Sequence, residues 1–186
     1  MMQRNDAFLA LARHITDEVV VTSYSSAFAW LVIAPRPLNY FSVGAMGLDT
    51  SHALGLALGR PDRRIVVLQG DGSLLMNLGS LVTIAAAAPA NLIHFVVRNG
   101  TYEANGGHPI PDGGLDFAAM ARAAGYPHAH DFSDVPAFAA ALPSVLAMPG
   151  PVFAALHVEP DAPLEYDYRS LYDPARRLAF QAAFRG

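Results

Sequence analysis

Four runs of apolar, β-branched residues set the frame of this chain: Val19-Val-Val-Thr22, Arg64-Ile-Val-Val-Leu-Gln69, Leu92-Ile-His-Phe-Val-Val97 and Val152-Phe-Ala-Ala-Leu-His-Val158. They are continuous rather than alternating, as a strand buried on both faces of a parallel sheet requires. Helix-like segments lie around and between them. Residues 5–17 place Phe8, Leu9, Leu11, Ala12 and Ile15 near a 3.6-residue period, with Asn5 or Asp6 as cap. Further helices are expected from Thr50 to Gly59, from about Leu74 to Ala88, from Asp116 to Ala124 with Gly125 as the stop, over residues 134–147, and in a short piece over 174–184. Asn39 to Ser42 reads as one more short strand. Such alternation predicts an α/β fold, a three-layer sandwich with a mainly parallel central sheet and helices on both faces. The expectation is one domain over residues 1–186, with 160–186 a tail at an interface.

Composition narrows the chemistry. Of 186 residues, 53% are hydrophobic and 15% charged, enough apolar material for a substantial core. A net charge of −4 without clustered Lys or Arg provides no footprint for nucleic acid. There is no cysteine, which excludes disulfides, thiolate zinc sites, cysteine nucleophiles and cysteine-held iron–sulfur clusters. No signal peptide or membrane span is read from the chain, so the expected location is the cytoplasm.

In open parallel sheets, ligands bind beyond the carboxyl ends of the strands. Three polar clusters fall there: Thr22-Ser23, Gly70-Asp-Gly-Ser73 and Asn99-Gly-Thr101. Glycines let a backbone approach an anion, and N–H groups opening a helix favour phosphate. Asp71 is misplaced beside such an anion unless a cation lies between them, which points to Mg²⁺ with carboxylate, carbonyl and phosphate ligands. Asn99 and the Thr101 carbonyl are further candidate ligands. The plain alternative is a strand–helix turn in which Asp71 only caps the helix.

GDGS, a helix and strand, and then NGTY resembles the diphosphate- and metal-binding signature of the thiamine diphosphate (ThDP) enzymes. The resemblance implies that Asp71, Asn99 and Thr101 bind Mg²⁺ while Gly70, Gly72 and Ser73 hold the diphosphate. Arg98 stands where many members carry a first Asn. Upstream, Gly44-Ala-Met-Gly47 is similar to the family's GSMG or GGLG stretch. There the Gly44 carbonyl meets the aminopyrimidine and Met46 wedges between the two rings; without the family, Met46 reads as a core methionine. Thr22 and Ser23 are further candidate contacts to the diphosphate, and Tyr102 reads either as packing on it or as a loop anchor. Residues 15–160 carry the likeness. Within it, GAMGLDTSHALGLALGRPDRRIVVLQGDGSLLMNLGSL and NGTYEANGGHPIP are particularly similar to the group of sulfopyruvate and phosphonopyruvate decarboxylases. His108 replaces that group's Gln and Ile110 its Thr.

The family also needs a glutamate from a pyrimidine-binding domain, for which this chain has no room. The resemblance therefore implies the diphosphate-binding (β) subunit of a two-chain 2-oxoacid decarboxylase, completed by an α subunit in a hetero-oligomer. Its substrate would be a small anionic 2-oxoacid such as sulfopyruvate or phosphonopyruvate. A carboligase subunit, a 2-oxoacid oxidoreductase subunit and a catalytically silent cofactor-binding subunit are the alternatives. His108, in the loop, and His52, in the first turn of a helix, are the candidate catalytic side chains. Each has a plainer reading, a loop surface residue for His108 and helix packing for His52. His94 reads as structural, and Glu103 as a surface or catalytic group. Tyr166, Tyr168, Tyr172, Phe180 and Phe184 suit either a partner interface or packing on their own domain.

Overall fold

The computed structural model describes residues 1–111, 114–161 and 167–186. Chain order runs α1 (Arg4–Ala12), β1 (Val19–Thr22), α2 (Tyr24–Ile33), β2 (Asn39–Phe41), α3 (Asp49–Gly59), β3 (Ile65–Gly70), α4 (Asp71–Met76), α5 (Ser80–Ala87) and β4 (Leu92–Arg98). It continues through β5 (Thr101–Tyr102), a 3-10 turn (Glu103–Asn105), β6 (His108–Pro109), α6 (Phe117–Ala124), β7 (His128–Phe132), α7 (Val135–Ala147), β8 (Val152–His157), α8 (Tyr168–Leu171) and α9 (Pro174–Arg185).

Six strands form one parallel sheet in the order β2-β1-β3-β4-β8-β7, and β5 and β6 pair as a small antiparallel ribbon. Strand residues alternate between two cores. Val20, Val66, Leu68, Phe95 and Leu156 meet Phe8, Trp30 and Phe138 from α1, α2 and α7. Val21, Val67, Val96 and Phe153 meet Ala53, Leu81 and Phe117 from α3, α5 and α6 on the other face. Both faces of the sheet are thus covered, and the four long apolar runs are its centre. Among the described residues no helix is long and apolar enough to cross a membrane.

Several elements differ from expectation. The first helix stops at Ala12, and its cap position is Gln3 with no side-chain bond. Residues 24–33, not expected as a helix, form α2; β7 was likewise not anticipated. The single helix expected after GDGS is two, because Asn77 leaves the helix to donate from Nδ2 to the Gly47 carbonyl at 2.8 Å. Asp116 and Asp134 cap α6 and α7 through the Ala119 and Ala137 amides, and Gly125 ends α6 at φ +110°. The tail packs on its own domain: Tyr168 meets Tyr24 and Phe28 edge-on, and Phe180 meets Tyr40 and Phe184. Tyr172 is exposed. Tyr166 lies outside the described residues.

Candidate active site

The strand order reverses at β1, whose neighbours are β2 and β3. The crevice at such a reversal is where an open α/β sheet offers a binding site. A cleft lies there, lined by Ser23 and Tyr24 after β1, by Gly70, Asp71, Gly72 and Ser73 after β3, and by Asn99, Thr101, Tyr102 and Glu103 after β4. Met46, on the loop before α3, completes the wall. Three loops far apart in sequence thus meet because parallel strands deliver all their carboxyl ends to one edge. Tyr24 enters the cleft with φ +48°, a left-handed conformation costly for a bulky residue.

Asp71 is buried, and its two oxygens tie separate turns together: Oδ1 accepts from Gly72 N and Oδ2 from Gly100 N, each at 2.7 Å. Asn99 Oδ1 accepts from Thr101 N at 2.9 Å and from the Thr101 hydroxyl at 3.2 Å, while Asn99 Nδ2 donates to Glu103 Oε2 at 3.0 Å. Glu103 is therefore no surface carboxylate. Its side chain is 8% exposed and forms a two-pronged pair with buried Arg4, at 3.0 and 2.8 Å. The second nitrogen of Arg4 reaches Asp161 at 2.5 Å. This chain sets which end of the Asn99 amide presents its oxygen.

Among the described residues no group of three His, Cys, Asp or Glu could hold a metal. A cation here would rest on one carboxylate, one amide oxygen and backbone carbonyl. Ile110 N donates to Gly100 O at 3.0 Å, so Thr101 and Pro109 are a non-hydrogen-bonded pair of the ribbon and the Thr101 carbonyl is turned away from β6. An all-oxygen set of this kind suits a hard ion such as Mg²⁺. Gly72 shapes the floor: a methyl there would lie 2.5 Å from Tyr102 Cδ1. Ser73 Oγ accepts from Gly47 N at 2.8 Å, which joins the glycine loop to the floor. These residues fit a diphosphate carried on a divalent cation.

The remaining candidates lie apart. Gly44, at φ +110°, is exposed and outside the cleft lining. His108 is exposed on β6 and also outside the lining. His52 lies in a different, larger cleft of about 240 Å³ with Tyr40, Val43, Tyr172 and Arg176. Its Nδ1 is 2.9 Å from Ser42 Oγ. Thr22 donates to Leu68 O within the sheet. His94 is fully buried among Phe153 and Tyr126, and burial pulls its imidazole down to about 3. Sequence reasoning missed Asp49, a fully buried carboxylate that accepts from Ser23 Oγ at 2.7 Å and from Gln69 Nε2 at 2.5 Å. Burial raises its affinity for a proton, and the hydrogen bonds from Ser23, Thr50 and Gln69 oppose that rise. Its position just past the glycine loop was the available signal.

The family model of the thiamine pyrophosphate enzyme C-terminal TPP-binding domain matches residues 21–156. The chain is 39% identical over 142 residues to phosphonopyruvate decarboxylase of Streptomyces viridochromogenes, covering 76% of this chain but only 36% of that protein. It is 38% identical over 161 residues to sulfopyruvate decarboxylase subunit beta of Methanothermobacter thermautotrophicus, covering 86% of this chain and 84% of that subunit. The fold is similar to that of benzoylformate decarboxylase from Polynucleobacter necessarius, with a TM-score of 0.72 and 22% identity over 87% of this chain and 34% of that one.

Proposed function

The chain belongs to the thiamine pyrophosphate enzymes, with their C-terminal TPP-binding domain, and from that membership we propose that it is the diphosphate-binding part of a Mg²⁺-dependent 2-oxoacid decarboxylase. The observation that carries this reading is the meeting of Asp71, Asn99 and Thr101 with Gly72 and Ser73 in one cleft. Thiamine diphosphate, when bound, supplies the nucleophilic carbon and the electron sink for loss of CO₂. The chain's own residues bind and orient it. Asp71, the Asn99 amide oxygen and the Thr101 carbonyl would hold Mg²⁺; Ser23, Gly72 and Ser73 would take the diphosphate. Met46, at the cleft wall, is the side chain placed to pack against the cofactor's rings, with Gly44 nearby on the same loop. Tyr102, seated over Gly72, keeps water from the anion.

We assign the activating glutamate to a pyrimidine-binding partner. The β-subunit relative, matched over 84% of its length, supports a separate subunit. The relatives also support a small 2-oxoacid bearing a sulfonate or phosphonate. The test is gentle purification from the native host, followed by assay for released thiamine diphosphate, a second polypeptide and CO₂ from each 2-oxoacid. A cofactor-loaded complex active on either acid is expected. Turnover by this chain alone would overturn the split site, and unchanged Mg²⁺-dependent cofactor affinity in Asp71→Ala would overturn the site assignment.

A further inference from the structure

Asp49 opens α3 next to the cleft and is completely buried. Each polar contact to its carboxylate comes from a donor. Ser23 Oγ lies at 2.7 Å, Gln69 Nε2 at 2.5 Å, Thr50 N at 3.1 Å, and Ser73 Oγ farther off at 3.4 and 3.5 Å. A buried chain stands behind Gln69. Its Oε1 is 2.8 Å from His94 Nε2, and His94 Nδ1 is 3.5 Å from the Tyr126 hydroxyl. With His94 neutral, hydrogens are passed in one direction, from Tyr126 to His94 to Gln69 to Asp49. The groups around Asp49 bring no cation: Tyr24 from α2, Ser73 from α4 with Asp71 in the same turn, Gln69 from β3 with His94 behind it, and Ser80 from α5 through Thr50. Among the described residues no ion pair includes Asp49.

Ser23 and Ser73 have a second face, because both line the cleft. Each hydroxyl has one hydrogen. In the structure Ser23 gives its hydrogen to Asp49, and Ser73, whose oxygen already accepts from Gly47 N, has its hydrogen to give either to Asp49 or into the cleft. An anion in the cleft and the carboxylate behind it therefore compete for the same two hydrogens.

Resting on the reading that the cleft takes the cofactor's diphosphate, we propose that both hydroxyls turn from Asp49 to phosphate oxygens on binding and that Asp49 takes up one proton in exchange. The balance is simple: one proton moves from solvent to an Asp49 carboxyl oxygen, and no bond between heavy atoms changes. As an acid, Asp49 donates to Ser23 Oγ, so their contact survives with its polarity reversed. Two forces drive the uptake. The carboxylate loses two of its donors where water cannot replace them, and a second anion arrives on the far side of the same hydroxyls. Burial already shifts Asp49 toward its protonated form.

The test is calorimetric titration of Mg²⁺ and thiamine diphosphate into the protein as purified from its host, with any accompanying subunit and stripped of cofactor. Titrations are run in buffers of different ionisation enthalpy across about pH 5.5–8, on wild type and Asp49→Asn. Wild type should take up about one proton per cofactor bound once protons released by the ligand's own phosphate are allowed for. Its affinity should rise, by up to about tenfold per pH unit, as the pH falls through the linked window. Asp49→Asn presents an amide donor to Ser23 with no proton to gain, so its pH dependence should be flatter and its extra uptake gone. Equal uptake in both proteins overturns the proposal. If the variant does not fold, infrared difference spectra of wild type decide: a new protonated-carboxyl band on cofactor binding supports the proposal, and none overturns it. Failure of wild type to bind cofactor at any pH would sink the cofactor reading itself, whereas binding without extra protons sinks only the exchange at Asp49.

Discussion

At Gly72 a hydrogen in place of a methyl decides how closely Tyr102 can seal the floor of the cleft. A Cβ there would meet the ring at 2.5 and 2.7 Å, closer than any real contact, with Ile110 behind at 3.4 Å. Gly72→Ala should therefore displace Tyr102 and cost about 1–3 kcal/mol through overpacking. The cofactor should bind more weakly as well, since the displaced ring no longer covers the anion. Adding Tyr102→Ala should restore most of the lost stability, because the clash goes with the ring, while cofactor affinity stays low. Thermal unfolding and cofactor titration of the two single variants and the double variant separate these effects. A double variant no more stable than Gly72→Ala would place the strain elsewhere.

At the scale of elements, the polar chain under the sheet makes a prediction about acid. His94 sits on β4 between Phe153 and Tyr126, and burial holds its imidazole at about 3 against an ordinary 6.5. Between those values the unfolded chain binds more protons than the folded one, so stability falls as pH falls. The contribution is complete above about pH 6.5, and as much as about 5 kcal/mol is lost by pH 3. His94→Gln should flatten that acid limb, which urea unfolding across the window measures; an unchanged slope would assign acid sensitivity to other groups. The same element shows what a sequence reveals. β1, β3, β4 and β8 were legible because strands buried on both faces must be apolar throughout. β7, HAHDF, was not, since an edge strand with no fully buried residue carries no such signal. The start of α2 was hidden by Ser23 to Ser26, which read equally as a strand end. The break after α4 depends on Asn77 reaching the Gly47 loop, a contact that no local pattern announces. GDGS and NGTY were legible because turns at strand ends must carry their chemistry locally. Asp49 was not, since an acid in the first turn of a helix reads as an ordinary end residue.

Over the whole molecule, the site is closed from the chain's first residues. Met2 N donates to His157 O at 3.0 Å and Glu159 N to Met2 O at 2.8 Å, laying the N-terminus beside the exit of β8. That placement puts Arg4 against Glu103, 99 residues away, and against Asp161. The family match spans residues 21–156, so it includes Glu103 but neither Arg4 nor Asp161, the other two members of this brace. Arg4 compensates two carboxylates, and Glu103 in turn orients the Asn99 amide. Arg4→Met should cost about 3 kcal/mol, since it removes the guanidinium that Glu103, with its side chain 8% exposed, pairs with in the interior; Asp161, at 28%, loses less. Glu103→Gln keeps the volume and a hydrogen bond to Asn99 but frees the amide to turn over. Each change should weaken Mg²⁺-dependent cofactor binding by about 10- to 100-fold, the usual cost of losing a group that orients a metal ligand. Because both act through Asn99, the double variant should bind little worse than either single one, with a coupling of about 1 kcal/mol or more. Cofactor titration of the four proteins measures it. Strictly additive losses would mean that Arg4 does not act through Glu103 and Asn99.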